Sequence, residues 1–391
     1  MPIEKAPYIK YTEETSVVNY GNTNSEIPVF IAPTKVNVKN GNNTTYADVT
    51  VDKDHIYLIS SFREAEALFK QDGATTDTEL LKHLRQYFTE NNYYFADEFG
   101  TPYVYVIPVP TTDTSGTDFT NALELITTKK EVQTIAFIGV SDIASIKTEL
   151  ATYLSFESQD GFLRIAYIQA PTLNENETYS AFATRIATLN ETLNNPRICL
   201  VENEFFGYHI AKICNTPYYM EAGYLPYYSI QIGEFKELTK DERDKLCMAG
   251  LIFGEDDYTL PEVAPRMCLG VSSAFGKSQK ADYGKRTVDS LLHSRRNVDH
   301  QVREIYKIIA PQLKRNETSV TLRYVQDEVM SYLDTELANG TIMEYEFSVE
   351  ESSYNPYCLL VKGKIVPVNS TLAIEFKNTI GSPYAVASEY I

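Results

Sequence analysis

The 391-residue chain has no tryptophan, five histidines and five cysteines. Cys199, Cys214, Cys247, Cys268 and Cys358 are odd in number and widely spaced, with no CxxC pair. A disulfide framework, a zinc site and a redox motif are therefore not indicated, and the thiols read as buried packing residues. His55, His83, His209, His293 and His300 never form an HxH or HxxxH pair, the spacings that set two imidazoles on one metal. No stretch approaches the ~18 consecutive apolar residues of a membrane span. The opening MPIEKAPYIKYTEE has neither the basic nor the apolar region of a signal peptide, so a chain made and folded in the cytoplasm, without membrane insertion, is expected. Positive charge is scarce: 35 Lys and Arg against 53 Asp and Glu leave a net charge of −18. That excludes a nucleic-acid footprint over the whole surface, because phosphate binding draws on an excess of Lys and Arg.

What is present is a packed, tyrosine-rich composition, 43% apolar with 29 tyrosines. Tyrosine joins a large apolar face to a polar tip and is enriched where surfaces meet partners, a first pointer to assembly. Residues 1–24 show no apolar period and read as an extended arm. IPVFIAP (Ile27–Pro33) is the first strand-like run, and Ser61 with Glu64 has the form of a capping box opening a helix. QTIAFIGV, FLRIAYIQA and PRICLVE are short runs apolar on both faces, separated by helical segments near 142–156 and 178–193. Such alternation predicts a parallel sheet covered by helices. The last third changes character. Val298, Val302, Ile305 and Ile309 form one amphipathic stripe and Val325, Val329, Leu333 and Leu337 another. Alternating strands follow, with Met343, Tyr345, Phe347 and Val349 on the buried face of one and Leu372, Ile374 and Phe376 on that of the next. After Gly381 the chain again reads as an arm. The expected architecture is an α/β core over 25–280, an α+β domain over 281–380, and arms at 1–24 and 381–391.

Candidate chemistry is thin. CLGVSSAFGKSQK contains Gly276-Lys277-Ser278, but five residues separate Gly270 from Gly276, not the four of a phosphate-binding loop, and no strong helix follows. Glu255, Asp256 and Asp257 lack the alternating spacing of a calcium loop. No GxSxG or catalytic cysteine signature occurs. No catalytic residue, metal or cofactor is expected. One electrostatic feature stands out: between Lys277 and Arg315 there are ten Lys or Arg and four Asp or Glu. This stretch reads either as a solvated face or as a docking face for an acidic partner, with Arg296, Arg303 and Lys307 on or near the outward side. Three functions remain open: a polymer subunit, a nucleotide-dependent enzyme or motor using the GKS loop, and a nucleic-acid-binding virion component using the 277–315 patch.

LTKDERDKLCMAGLIF, the loop LGVSSAFGKS, RTVDSLLHSRRNVDHQVREIYKIIAP, VTLRYVQDEVMSYLDTELANGTIMEYEF and KIVPVNSTLAIEFKNTI together resemble the C-terminal half of contractile tail sheath proteins. These form the sheaths of myovirus tails, R-type bacteriocins and related contractile injection systems. The matching positions are Leu238, Thr239, Glu242, Leu246, Gly250 and Leu251; Arg295 and Arg296; Leu337, Gly340 and Ile342; and Pro367, Ile374 and Phe376. APYIKYTEETSV and YFTENNYYFADEFGTPYVYVIPV are similar to the family's opening and first core strand, with Ala6 where the family carries glycine. The resemblance implies a helical homopolymer around an inner tail tube, bounded by baseplate and tail terminator proteins, in a particle assembled in a host cytoplasm as a virion tail or an extracellular contractile particle. It implies tube-facing Lys277, Lys280, Arg295, Arg296, Arg303, Lys307, Lys314 and Arg315. It also implies arms that add strands to neighbouring subunits through Tyr8, Ile9, Tyr11, Val17, Val18, Tyr384, Val386 and Tyr390. Contraction would proceed without nucleotide, from a high-energy array trapped at assembly.

Overall fold

Strand β1 (Ile27–Pro33) is a run of apolar side chains bounded by prolines, and it lies inside an eight-stranded sheet. The computed structural model describes residues 27–40, 43–94, 103–112, 116–129, 131–159, 163–220, 222, 227–231, 233–256, 266–268, 292–312, 318–351 and 359–367. Both arms, the GKS loop and the 372–376 strand expectation lie outside them.

The other strands of the sheet are β4 (Tyr57–Ile59), β5 (Val104–Val109), β6 (Val132–Phe137), β7 (Ile165–Gln169), β8 (Ile198–Val201), β9 (Leu251–Glu255) and β10 (Arg266–Cys268); β2 (Val36–Asn40) and β3 (Asn43–Ala47) form a separate hairpin. The order is β10-β9-β8-β7-β6-β1-β5-β4. The six strands from β9 to β5 run parallel, and only the edge strands β10 and β4 are antiparallel. The chain steps from β1 outward to β5, then crosses to β6 on the other side of β1, which is a doubly wound arrangement.

Because strand side chains alternate, each strand feeds two cores. Phe30, Ala32, Val104 and Val106 pack with α1 (Phe62–Phe69), α2 (Glu79–Tyr94) and α6 (Phe206–Asn215). Val29, Ile31, Tyr105 and Ile107 pack with α3 (Thr117–Ile126), α4 (Lys147–Gln159), α5 (Tyr179–Leu193) and α7 (Lys240–Ala249). Burying each large side chain stabilises the fold by about 1.5–3 kcal/mol, which is why the central strands carry no polar face. The covered parallel sheet expected from the apolar runs is the observed one.

Helix boundaries follow local chemistry. Ser61 Oγ accepts from the Glu64 amide, but the Glu64 carboxylate accepts from Ser60 N and Oγ, so the reciprocal bond is displaced by one residue. At α7 the box is complete: Thr239 Oγ1 accepts from Glu242 N and Glu242 Oε2 from Thr239 N, while Gly250 closes the helix at φ 87°. The L-T-x-x-E and glycine motif of the sequence is thus a helix start and stop.

The C-terminal part consists of α8 (Leu292–Ile309), a 3-10 turn, α9 (Thr318–Ala338) and the antiparallel hairpin of β11 (Ile342–Glu351) and β12 (Leu359–Pro367). Val325, Val329, Leu333, Ile342 and Val349 form its own buried cluster. Two expected core residues are exposed. Leu337 is out because steps of four overshoot a 3.6-residue turn, bringing position 337 about 120° round from Val325. Buried Glu336 takes the inward place, bonded to Gln301 and Thr341. Met343 is out because the register slips between Ile342 and Glu344, a bulge that turns one residue to solvent.

Candidate functional site

The expected docking helix is α8, and its arginines are largely turned inward. Arg295 and Arg296 are buried, and Arg296 Nη2 donates to the Thr216 carbonyl at 2.9 Å. The expectation of an outward Arg296 is therefore corrected: the start of the helix is wedged against the sheet, and a guanidinium there serves carbonyls of its own chain. Half-buried Arg303 donates to the Leu163 carbonyl at 2.8 Å. Lys307 is exposed and pairs with Glu304 at 2.5 Å. Lys277, Lys280, Lys314, Arg315 and the arm residues Tyr8, Ile9, Tyr11, Val17, Val18, Tyr384, Val386 and Tyr390 lie outside the described residues.

The residues that receive α8 escaped the sequence reading. Arg197, immediately before β8, makes a two-pronged ion pair with Asp299, Nη1–Oδ2 2.5 Å and Nη2–Oδ1 2.9 Å, with both side chains buried. Asn297 Nδ2 donates to the Tyr218 carbonyl, and the Tyr218 ring stacks on His300 at 3.6 Å. Burial, then the charges of Arg303, Lys307 and Arg296, pushes His300 down to about 3, so it is a neutral stacking ring. Arg164, before β7, is likewise buried and donates to the carbonyls of Ile126, Lys129 and Val132, along the connection from the end of α3 to the start of β6. The available signal was an arginine placed directly before each of two fully apolar strands, FLRIAYIQA and PRICLVE. A charge in that position is tolerated only with partners.

At the opposite, carboxyl end of the sheet a second polar network forms. Gln169 Oε1 accepts from Gly139 N at 2.7 Å, and its Nε2 lies 2.8 Å from both Glu79 Oε1 and His83 Nε2. His83 Nδ1 meets Gln86 Oε1, which also accepts from Gly207 N. The His83 bond, joined by Gln169 and the charge of Lys82, holds Glu79 at about 2 against the opposing effect of burial. A carboxylate depressed below its ordinary 4.5 contributes stability that is fully present above that value and lost as pH falls toward 2. Glu79→Gln is therefore expected to lower the urea midpoint at pH 6, and the gap to wild type to be much smaller at pH 2.5. An equal gap at both values would contradict the assignment.

An open groove of about 420 Å³ adjoins this end, with Gly139, Asp142, Thr172 and Arg185 among its lining residues. Arg185 is occupied by Glu177 and the Thr172 carbonyl. Burial pushes the Cys199 thiol up to about 12, which keeps it protonated and unreactive. Among the described residues no group of three His, Cys, Asp or Glu side chains is placed to hold a metal, and no helix is long and apolar enough to cross a membrane. The polar side chains gathered at both ends of the sheet are bonded to one another and to backbone groups of the chain, an arrangement that positions elements.

No protein-family model matches the sequence, and no curated protein matches it. Among solved structures, the fold is shared with a chain in the cryo-EM structure of the anti-feeding prophage (AFP) baseplate, 6-fold symmetrised. The TM-score is 0.63 at 14% identity, over 97% of this chain and 100% of that one. The likeness therefore embraces both the α/β sheet and the C-terminal helices and hairpin as one architecture.

Proposed function

We propose that the chain is a structural subunit of a contractile tail sheath, polymerising helically around an inner tube and driving that tube through a target envelope by rigid-body rearrangement. The observation that carries this reading is the likeness, nearly end to end in both chains, to a component of the anti-feeding prophage baseplate. The sheath-type motifs support it. The arms at 1–24 and 381–391 link neighbouring subunits, and the C-terminal domain over 281–380 faces the tube. With Arg295 and Arg296 buried, the tube contacts fall to Lys307 and to Lys277, Lys280, Lys314 and Arg315, with Arg303 at the margin. The array stores its free energy at assembly, and subunits rotate into a more compact lattice without nucleotide.

A second reading, a ring component of a baseplate, is favoured by the six-fold baseplate to which the similar chain belongs. Electron microscopy of the expressed chain separates the two. Hollow helical tubes are expected, and deletion of residues 1–18 or 382–391 is expected to yield folded subunits that no longer link. Closed rings would replace the sheath by the baseplate reading. A monodisperse monomer at assembly concentrations would overturn both.

A further inference from the structure

Arg295, Arg296, Asn297, Asp299 and Gln301 in α8 are all buried. On a helix these positions point in several directions, so the stretch from Arg295 to Gln301 is largely enclosed. An enclosed helix is ordinarily apolar all round, yet these five side chains are charged or amide. Their bonds run two ways. Toward the sheet go Asp299 to Arg197, Arg296 to the Thr216 carbonyl and Asn297 to the Tyr218 carbonyl, followed one turn later by Arg303 to the Leu163 carbonyl. Toward α9 go Gln301 to Glu336, and Tyr332 to Gln301.

The apolar side chains of the same helix behave differently. Ile305, Ile308 and Ile309 pack in the C-terminal cluster of α9 and the hairpin, while Leu292, at the very start, joins a sheet layer. The molecule thus has separate hydrophobic cores on either side of a polar seam. Apolar burial is non-directional, whereas a two-pronged ion pair surrounded by bonds to fixed carbonyls is satisfied in one orientation. Polar contacts between units of one chain also separate more readily than a shared core.

We propose that the first half of α8 is an orientation-setting joint, holding the C-terminal unit at one angle to the sheet through polar bonds that open while both cores stay folded. This does not rest on the sheath reading, since it concerns the single subunit.

Hydrogen exchange on the full chain tests it. Asp299→Asn leaves the Arg197 charge buried without its counter-ion, and amides of α8, α9 and β11 are expected to exchange about a hundredfold faster while those of β1, β6, β7 and β8 keep their wild-type rates. The double variant Arg197→Met with Asp299→Leu, which leaves no lone charge, is expected to bring exchange back close to wild type. Acceleration shared equally by the sheet strands would overturn the proposal by showing one cooperative core. Unchanged exchange in the C-terminal unit would overturn it equally. Should Asp299→Asn yield no soluble chain, Arg303→Met removes the bond to the Leu163 carbonyl and is read by the same two criteria.

Discussion

Gly207→Ala is expected to destabilise the protein by at least about 3 kcal/mol, seen as a large fall in thermal and urea midpoints. Helix α6 crosses α2 so closely that a Cβ at position 207 would lie 2.0 Å from the His83 carbonyl oxygen and 2.8 Å from Gln86 Cβ. The first of these is backbone and cannot rotate away. Sliding α6 outward would break the bonds from Gly207 N to Gln86 Oε1 at 3.0 Å and from Gln86 Nε2 to the Glu204 carbonyl at 2.7 Å. It would also separate the Phe206 and His83 rings, now 5.5 Å apart. Helix propensity alone predicts the opposite sign, since Ala exceeds Gly by about 1 kcal/mol in a helix interior. The variant therefore sets packing against propensity. Gly363→Ala, whose nearest neighbour would be Phe347 at 3.6 Å, is the control and is expected to change stability by no more than about 0.5 kcal/mol. Equal midpoints for wild type and Gly207→Ala would show that the two helices do not meet as described.

Arg296→Glu is expected to cost about 3–5 kcal/mol in the isolated subunit, before any partner is involved. The substitution removes the donor to the Thr216 carbonyl and puts a buried carboxylate in its place, opposite an oxygen that carries partial negative charge. Lys307→Glu provides the contrast. Lys307 is exposed and its bond to Glu304 is a surface pair, so the fold is expected to stay within about 0.5 kcal/mol of wild type. On the sheath reading, Lys307→Glu weakens assembly around a tube while leaving the subunit intact. Arg296→Glu in contrast lowers the yield of folded subunit. A fully stable Arg296→Glu chain would contradict the inward placement of that arginine.

The two arginines illustrate why charge patterning misled. Counting Lys and Arg along 277–315 treats each as solvated, because on an average surface helix it is. Whether a guanidinium meets water or a carbonyl depends on what lies against the helix, and here Leu163, Thr216 and Tyr218 come from segments 79 or more residues away in sequence. Glu79, His83 and Gln169 were unreadable for the same reason: the contact between α2 and β7 spans 90 residues.

Local chemistry in the sequence alone determined the continuous apolar strands, the helices between them and hence the covered parallel sheet. It determined equally the Thr239 to Gly250 helix limits and the amphipathic character of α8 and α9, since each depends on neighbours within a few residues. Only the tertiary structure decided that β1 lies between β5 and β6, that Leu337 and Met343 face solvent, and that the basic helix is a polar wedge between two cores. Those outcomes depend on long-range registry and on accumulated helical twist, where a drift that builds up over several turns or a one-residue bulge reverses which side chains are buried.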